Sequence, residues 1–222
     1  MAKKRVAILI SGRGANMAAL IAAAQQLDYP AHVALVLSNR PDAAGLRRAT
    51  AGGVPTDIID HRSFGEDRDQ FEGAVQAALD AYSIDIVCLA GFMRLFTASM
   101  VLRWSGRMIN IHPALLPSFK GLNTHERALA AGVKIHGATV HFVVPEPDSG
   151  PIIAQAAVPV LDDDTPQRLA ARVLAAELRL YPLALRLVAS GKTSIGTAGY
   201  VHNDAAVSPD ALLMVPDAPS AP

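Results

Sequence analysis

Asn110 and His112 stand two apart in the segment RMINIHPALLPSFKG. In an extended strand, residues two apart project from the same face. Pro113 ends that strand, and Pro117 and Gly121 shape the loop that follows. Both side chains are therefore expected near a strand's carboxyl end, where open α/β sheets bind their ligands. Asp148 follows in the turn PEPDSG, between two extended runs. An amide, an imidazole and a carboxylate form a coherent set for acyl transfer to an amine. A neutral amine attacks a formyl carbon whose oxygen becomes an oxyanion, and an Asn N–H and an imidazolium both stabilise that oxygen. A carboxylate nearby favours the protonated ring, which then gives its proton to the leaving nitrogen. No nucleophilic side chain is required. The sequence has no G-x-S-x-G, and its single cysteine, Cys88, sits inside the apolar run IDIVCLAG as a small buried hydrophobe. Each residue alone also has a structural reading: Asn110 and Asp148 as turn formers, His112 as a satisfied polar group.

A second group of residues lies in ISGRGAN, between the first apolar run and an Ala-rich stretch. A strand-to-helix turn of this kind offers free N–H groups and the positive end of a helix to an anion. Gly12 and Gly14 allow close backbone approach, and Asn16 and the amides near Ala15 supply donors. A dinucleotide fingerprint would need glycine where Met17 stands, and no acidic residue ends the second strand at Ser38-Asn39-Arg40. No Gly-Lys-Ser/Thr follows, so the turn is not a Walker A loop. It suits a single phosphate, or it is a tight turn that binds nothing.

The seven histidines raise the question of zinc. His112, His125, His136 and His141 cluster in sequence, but none forms H-E-x-x-H and no cysteine pair exists. His136, before Gly137, is expected in a loop, and alternation leaves the face of His141 open. No metal is expected. Lys+Arg and Asp+Glu balance at 20 each, which removes the electrostatic case for nucleic acid or an anionic membrane as partner. One cysteine allows no internal disulfide, and the N-terminal apolar run is too short for a signal peptide, so a cytoplasmic protein is expected.

The elements that must carry these groups alternate. RVAILI (5–10), HVALVLSN (32–39), TDIID (56–60) and IDIVCLAG (84–91) read as strands, with helices after each of the first three, the last at roughly 66–82. That order argues an α/β protein with a doubly wound, mostly parallel sheet. RMINIH (107–112) is a further strand. ATVHFVV (138–144) and IIAQAAVPV resemble a hairpin, which makes the C-terminal part of the sheet mixed. A long helix is expected from Thr165 to about Ala189. One domain spans 1–202, with an N-terminal phosphate-binding half to about 105 and a catalytic half from about 106. A frayed tail is expected over 203–222.

Taken together, these segments resemble the glycinamide ribonucleotide transformylase family, the folate-dependent formyltransferases of purine synthesis. The resemblance runs from RVAILISGRGAN through LAGFMRLF, INIHPALLPSFKGLNTHERAL, HGATVHFV and DSGPII to ELRLYP. It implies a Rossmann-like formyltransferase fold and formyl transfer from 10-formyltetrahydrofolate to the amine of glycinamide ribonucleotide, by a monomer or homodimer. By the same resemblance Asn110, His112 and Asp148 are the catalytic trio. Gly14, Ala15, Asn16, Pro113 and Glu177 bind the ribonucleotide. Arg68, Met93, Arg94, Leu95, Phe96, Val144, Asn110 and Asp148 meet the folate. Ala15 replaces a serine of several relatives, and Pro145 and Pro147 stiffen the folate loop.

Two sister activities share the HPALLP core. Methionyl-tRNA formyltransferase carries a further C-terminal domain and a basic surface, and formyltetrahydrofolate hydrolase carries an extra N-terminal domain. The zero net charge, a start directly at the first strand, and ISGRGAN favour a small phosphorylated acceptor. A non-catalytic nucleotide-binding module would keep the turn but would not need Asn110, His112 and Asp148.

Overall fold

The computed structural model describes residues 2–196, 201–204, 213 and 215. One seven-stranded sheet dominates, in the order β3-β2-β1-β4-β5-β6-β7. Its strands are β1 (Lys4–Ile10), β2 (Ala31–Ser38), β3 (Thr56–Ile58), β4 (Ile86–Leu89), β5 (Met108–His112), β6 (Ile135–Phe142) and β7 (Ile152–Pro159). The first five are parallel; β6 and β7 run antiparallel to their neighbours. The mixed sheet expected from the sequence is therefore present.

Alternation along each strand builds two cores. Val6, Ile8 and Ile10 of β1 join the layer of α1 (Ala15–Ala24), α2 (Ala44–Ala51), α5 (Thr124–Ala130) and α6 (Pro166–Ala189). Ala7 and Leu9 join the opposite layer, with Phe71, Val75 and Leu79 of α3 (Arg68–Ala81) and Met100 of α4 (Ala98–Arg103). Strands buried on both faces must be apolar throughout, which is why β1 and β4 read as unbroken apolar runs. Each fully buried Leu or Ile side chain contributes about 1.5–3 kcal/mol.

The chain leaves β1 toward β2 and β3 on one side and returns to β4 on the other. Between the carboxyl ends of β1 and β4 lies the crevice where this class of sheet binds ligands. Two loops open there, Ser11–Gly14 and Gly91–Phe96, and the end of β5 adjoins them.

Two expectations need correction. His136 is not in a loop: it lies in β6, paired with Val158 and only 1% exposed. Gly137 beside it allows this, since a Cβ there would lie 2.0 Å from the Ala156 carbonyl oxygen. Asn203 is not frayed. It ends β9 (Val201–Asn203), which pairs with β8 (Thr193–Ile195), and its Nδ2 donates to the Ile153 carbonyl of β7 at 2.7 Å. The remainder of the expected tail, beyond Asp204, lies outside the described residues except for Leu213 and Val215. The short helices α4 and α5 were not expected.

Candidate active site

β5 is held between β4 and β6, and it carries Asn110 and His112 on one side of its carboxyl end. Asp148 arrives from the β6–β7 connection. It sits at φ +52°, a left-handed backbone that Asp tolerates better than most residues. Gly150 makes the turn possible, because a Cβ there would fall 1.7 Å from the Phe142 carbonyl oxygen. The result brings Asp148 Oδ2 to 3.4 Å from His112 Nδ1 and 2.9 Å from the Gly121 amide, which donates to it.

His112 is buried, and its Nε2 lies 3.0 Å from the carbonyl of Phe119. A carbonyl only accepts, so Nε2 carries the hydrogen. Nδ1, beside Asp148, is then the nitrogen left to exchange a proton.

His141 joins this group from β6, where it faces Asn110 in the ladder. Its Nδ1 lies 2.9 Å from the Phe142 carbonyl and its Nε2 3.3 Å from Asn110 Nδ2. Burial pushes its pKa down, against the raising effects of the Phe142 carbonyl and Asp148. A neutral ring with Nδ1–H committed to a carbonyl has a bare Nε2, which accepts from the Asn110 amide. Alternation in ATVHFVV left the face of His141 undecided, and only the pairing with β5 turns it to Asn110.

The glycine turn lies at the start of α1. Gly14, at φ +72°, caps the helix with no side-chain hydrogen bond, so the first-turn amides near Ala15 are left for a ligand or water. Asn16 Nδ2 donates to Glu177 Oε2 of α6 at 2.7 Å, and Asn16 Oδ1 is buried with no hydrogen-bond partner among the described residues. Burial pushes the Glu177 carboxyl up, opposed by the bond from Asn16. Gly14, Ala15, Asn16 and Glu177 are therefore neighbours.

Met93 and Leu95 are exposed, while Arg94 and Phe96 are half-buried. Phe96 stacks on Phe92 with ring centroids 5.3 Å apart. Arg68, the first residue of α3, donates from Nη2 to the Leu95 carbonyl, which brings it to the segment with which the resemblance groups it. Val144 lies half-buried just past β6, in the loop that carries Asp148. Pro113 follows His112, and its carbonyl accepts from the Thr124 hydroxyl at 2.8 Å.

Cys88 is fully buried and its thiol is pushed up to about 12 by burial, so it offers no thiolate. Among the described residues, no group of three or more His, Cys, Asp or Glu side chains is placed to hold a metal ion.

Comparison with known proteins gives this arrangement a context. A family model described as formyl transferase matches residues 4–185. The chain is 48% identical over 199 residues to the human trifunctional purine biosynthetic protein adenosine-3, which covers 90% of this chain but 20% of that protein. It thus spans about a fifth of the length of the first curated relatives it matches. It is 39% identical to the phosphoribosylglycinamide formyltransferase of Haemophilus influenzae, over 85% of this chain and 89% of that one. Among solved structures, glycinamide ribonucleotide transformylase 1 from Symbiobacterium toebii superposes with a TM-score of 0.87 at 44% identity, covering 90% and 94% of the two chains.

Proposed function

Because the chain belongs to the formyl transferase family, among its phosphoribosylglycinamide formyltransferases, we propose that it moves a formyl group from 10-formyltetrahydrofolate to the amine of glycinamide ribonucleotide in purine synthesis. The observation that carries this reading is the contact of His112 with Asp148, beside Asn110, at the switch-point crevice. The ribonucleotide's phosphate lies in the Gly14–Asn16 turn, and Glu177 faces its glycinamide end. The folate lies along Met93–Phe96, with Arg68 and Val144 at its flanks.

The chemistry needs no covalent enzyme intermediate. The amine nitrogen attacks the formyl carbon, and the carbonyl electron pair moves onto oxygen. An N–H of Asn110 and the imidazolium of His112 stabilise that oxyanion. The attacking nitrogen then gives up a proton to the Asp148–His112 pair. The bond from carbon to N10 of the folate breaks, N10 takes a proton from the same pair, and tetrahydrofolate leaves. Holding both substrates at one strand end supplies the proximity that the reaction lacks in water.

The enzyme acts in the cytoplasm as a monomer or homodimer. The single buried Cys88 suits a reducing compartment, and no helix among the described residues is long and apolar enough to cross a membrane.

The test is direct. The protein is mixed with 10-formyltetrahydrofolate and glycinamide ribonucleotide, and tetrahydrofolate release is followed. Turnover that requires both substrates is expected. Turnover with water or another acceptor, and none with this amine, would assign the chain a sister activity.

A further inference from the structure

Ser11 is the first residue beyond β1, only 7% exposed, and its hydroxyl joins two loops. The Met93 amide donates to Ser11 Oγ at 2.8 Å, and Oγ lies 2.6 Å from Asn39 Oδ1. A hydroxyl has one hydrogen. The Asn39 oxygen can only accept it, so the Met93 N–H goes to the hydroxyl lone pair. Asn39 ends the β2 side of the crevice, 1% exposed, with Nδ2 3.1 Å from Nδ1 of His61. The backbone adds a parallel link, Ser11 N to the Gly91 carbonyl at 3.1 Å. Donors thus run in one direction, from Met93 to Ser11 to Asn39, and bonds in such a chain polarise one another.

The segment is anchored just before it by Phe92, 9% exposed in the core with Phe71 and Met100, but that anchor acts through a side chain and does not set the Met93 peptide plane. Met93 itself is 66% exposed, so its own side chain adds no packing. The Phe92–Phe96 stack and the Arg68 bond to Leu95 hold the far end. The amide of Met93 is fixed by the Ser11 hydroxyl.

We propose that Ser11 is a positioning residue for the formyl donor. Its hydroxyl sets the peptide plane at Met93, and with it the backbone polar groups against which the folate ring lies. Ser11 also precedes the turn Gly12–Asn16, but its hydroxyl bonds to Met93 and Asn39 and not to that turn. Ser11 touches no reacting atom. The proposal rests on the functional reading above, and its test separates the two.

Ser11→Ala leaves the buried Asn39 Oδ1 and the part-buried Met93 N–H without their partner. The expected result is a rise of about tenfold in the KM for 10-formyltetrahydrofolate, with kcat and the ribonucleotide KM within about twofold of wild type. Hydrogen exchange at the Met93 amide is expected to accelerate in the same variant. Ser11→Cys keeps a weaker acceptor at the same place and is expected to raise the donor KM by a smaller factor; it carries the test if the alanine variant does not fold. A folded variant with a wild-type donor KM, or an equal rise in both KM values, overturns the proposal. Wild-type protein is assayed alongside: absence of turnover and of folate binding there sinks the functional reading, whereas wild-type turnover with an unaltered donor KM in the variants sinks this inference alone.

Discussion

Asn110 and His141 face one another across the β5–β6 ladder, with Nδ2 of the amide 3.3 Å from Nε2 of the ring. Because burial keeps that ring neutral and its Nδ1–H is committed to Phe142, the bare Nε2 orients the carboxamide nitrogen. Asn110 Nδ2 then has a second hydrogen to offer. Asn110→Ala is expected to lower kcat by ~2.7–4 kcal/mol, the usual worth of an oxyanion donor. Steady-state kinetics decide it: a change confined to KM would make Asn110 a binding residue.

His112→Ala removes the ring between Asp148 and Phe119. The rate is expected to fall roughly a hundredfold or more while circular dichroism and thermal unfolding show the fold intact. Retention of more than about a tenth of the rate contradicts a proton-transfer role.

Asp148→Asn keeps the shape of the turn and an acceptor for the Gly121 amide but removes the charge 3.4 Å from His112. The pair then loses its proton acceptor, and kcat at neutral pH is expected to fall roughly a hundredfold or more. Steady-state kinetics with a wild-type kcat would show that the carboxylate takes no part in proton transfer.

Gly14→Val forces a branched side chain into a left-handed position, where a Cβ already meets Gly45 Cα and Met17 Cε at 3.0 Å. Ribonucleotide affinity is expected to drop roughly tenfold or more with folate affinity retained, because the turn relieves strain of about 1–3 kcal/mol by moving its amides out of place. Isothermal titration with each ligand separately tells a local effect from a global one, which would weaken both.

His136 predicts an acid-labile fold. Burial is the largest cause lowering its pKa from 6.5 to about 4, with His125 adding to it. The unfolded chain therefore takes up a proton in a range where the folded one does not. Stability is unaffected above about pH 6.5 and is lost progressively as pH falls from there toward about 4. Urea unfolding across that window is expected to show a falling midpoint, with a weaker pH slope in His136→Leu. Equal slopes in the two proteins would place the acid sensitivity elsewhere.

Much of this molecule is local in origin. The apolar runs of β1, β2 and β4, the Ala-rich α1 and the periodic α6 follow from neighbours along the chain, because burial on both faces and helix propensity act over a few residues. The same holds for Asn110 and His112, whose shared face is a consequence of strand geometry two residues long. The six-residue α4 and seven-residue α5 are too short to show a period in the sequence. α4 is fixed instead by the Thr97 cap, which Glu72 of α3 holds through the Thr97 amide and hydroxyl.

Which distant residues meet follows from how the strands pair and the layers pack. The antiparallel return of β6 and β7 turns His141 toward Asn110, draws His136 into the interior, and swings Asp148 back to His112. Strand order likewise sets Ser11 beside Met93 and lays α1 against α6, so that Asn16 reaches Glu177. The physical reason is one of range. Propensity and periodicity are fixed by a residue's near neighbours, whereas strand pairing and layer packing join segments through burial summed over the whole domain, and no single stretch of sequence carries that sum.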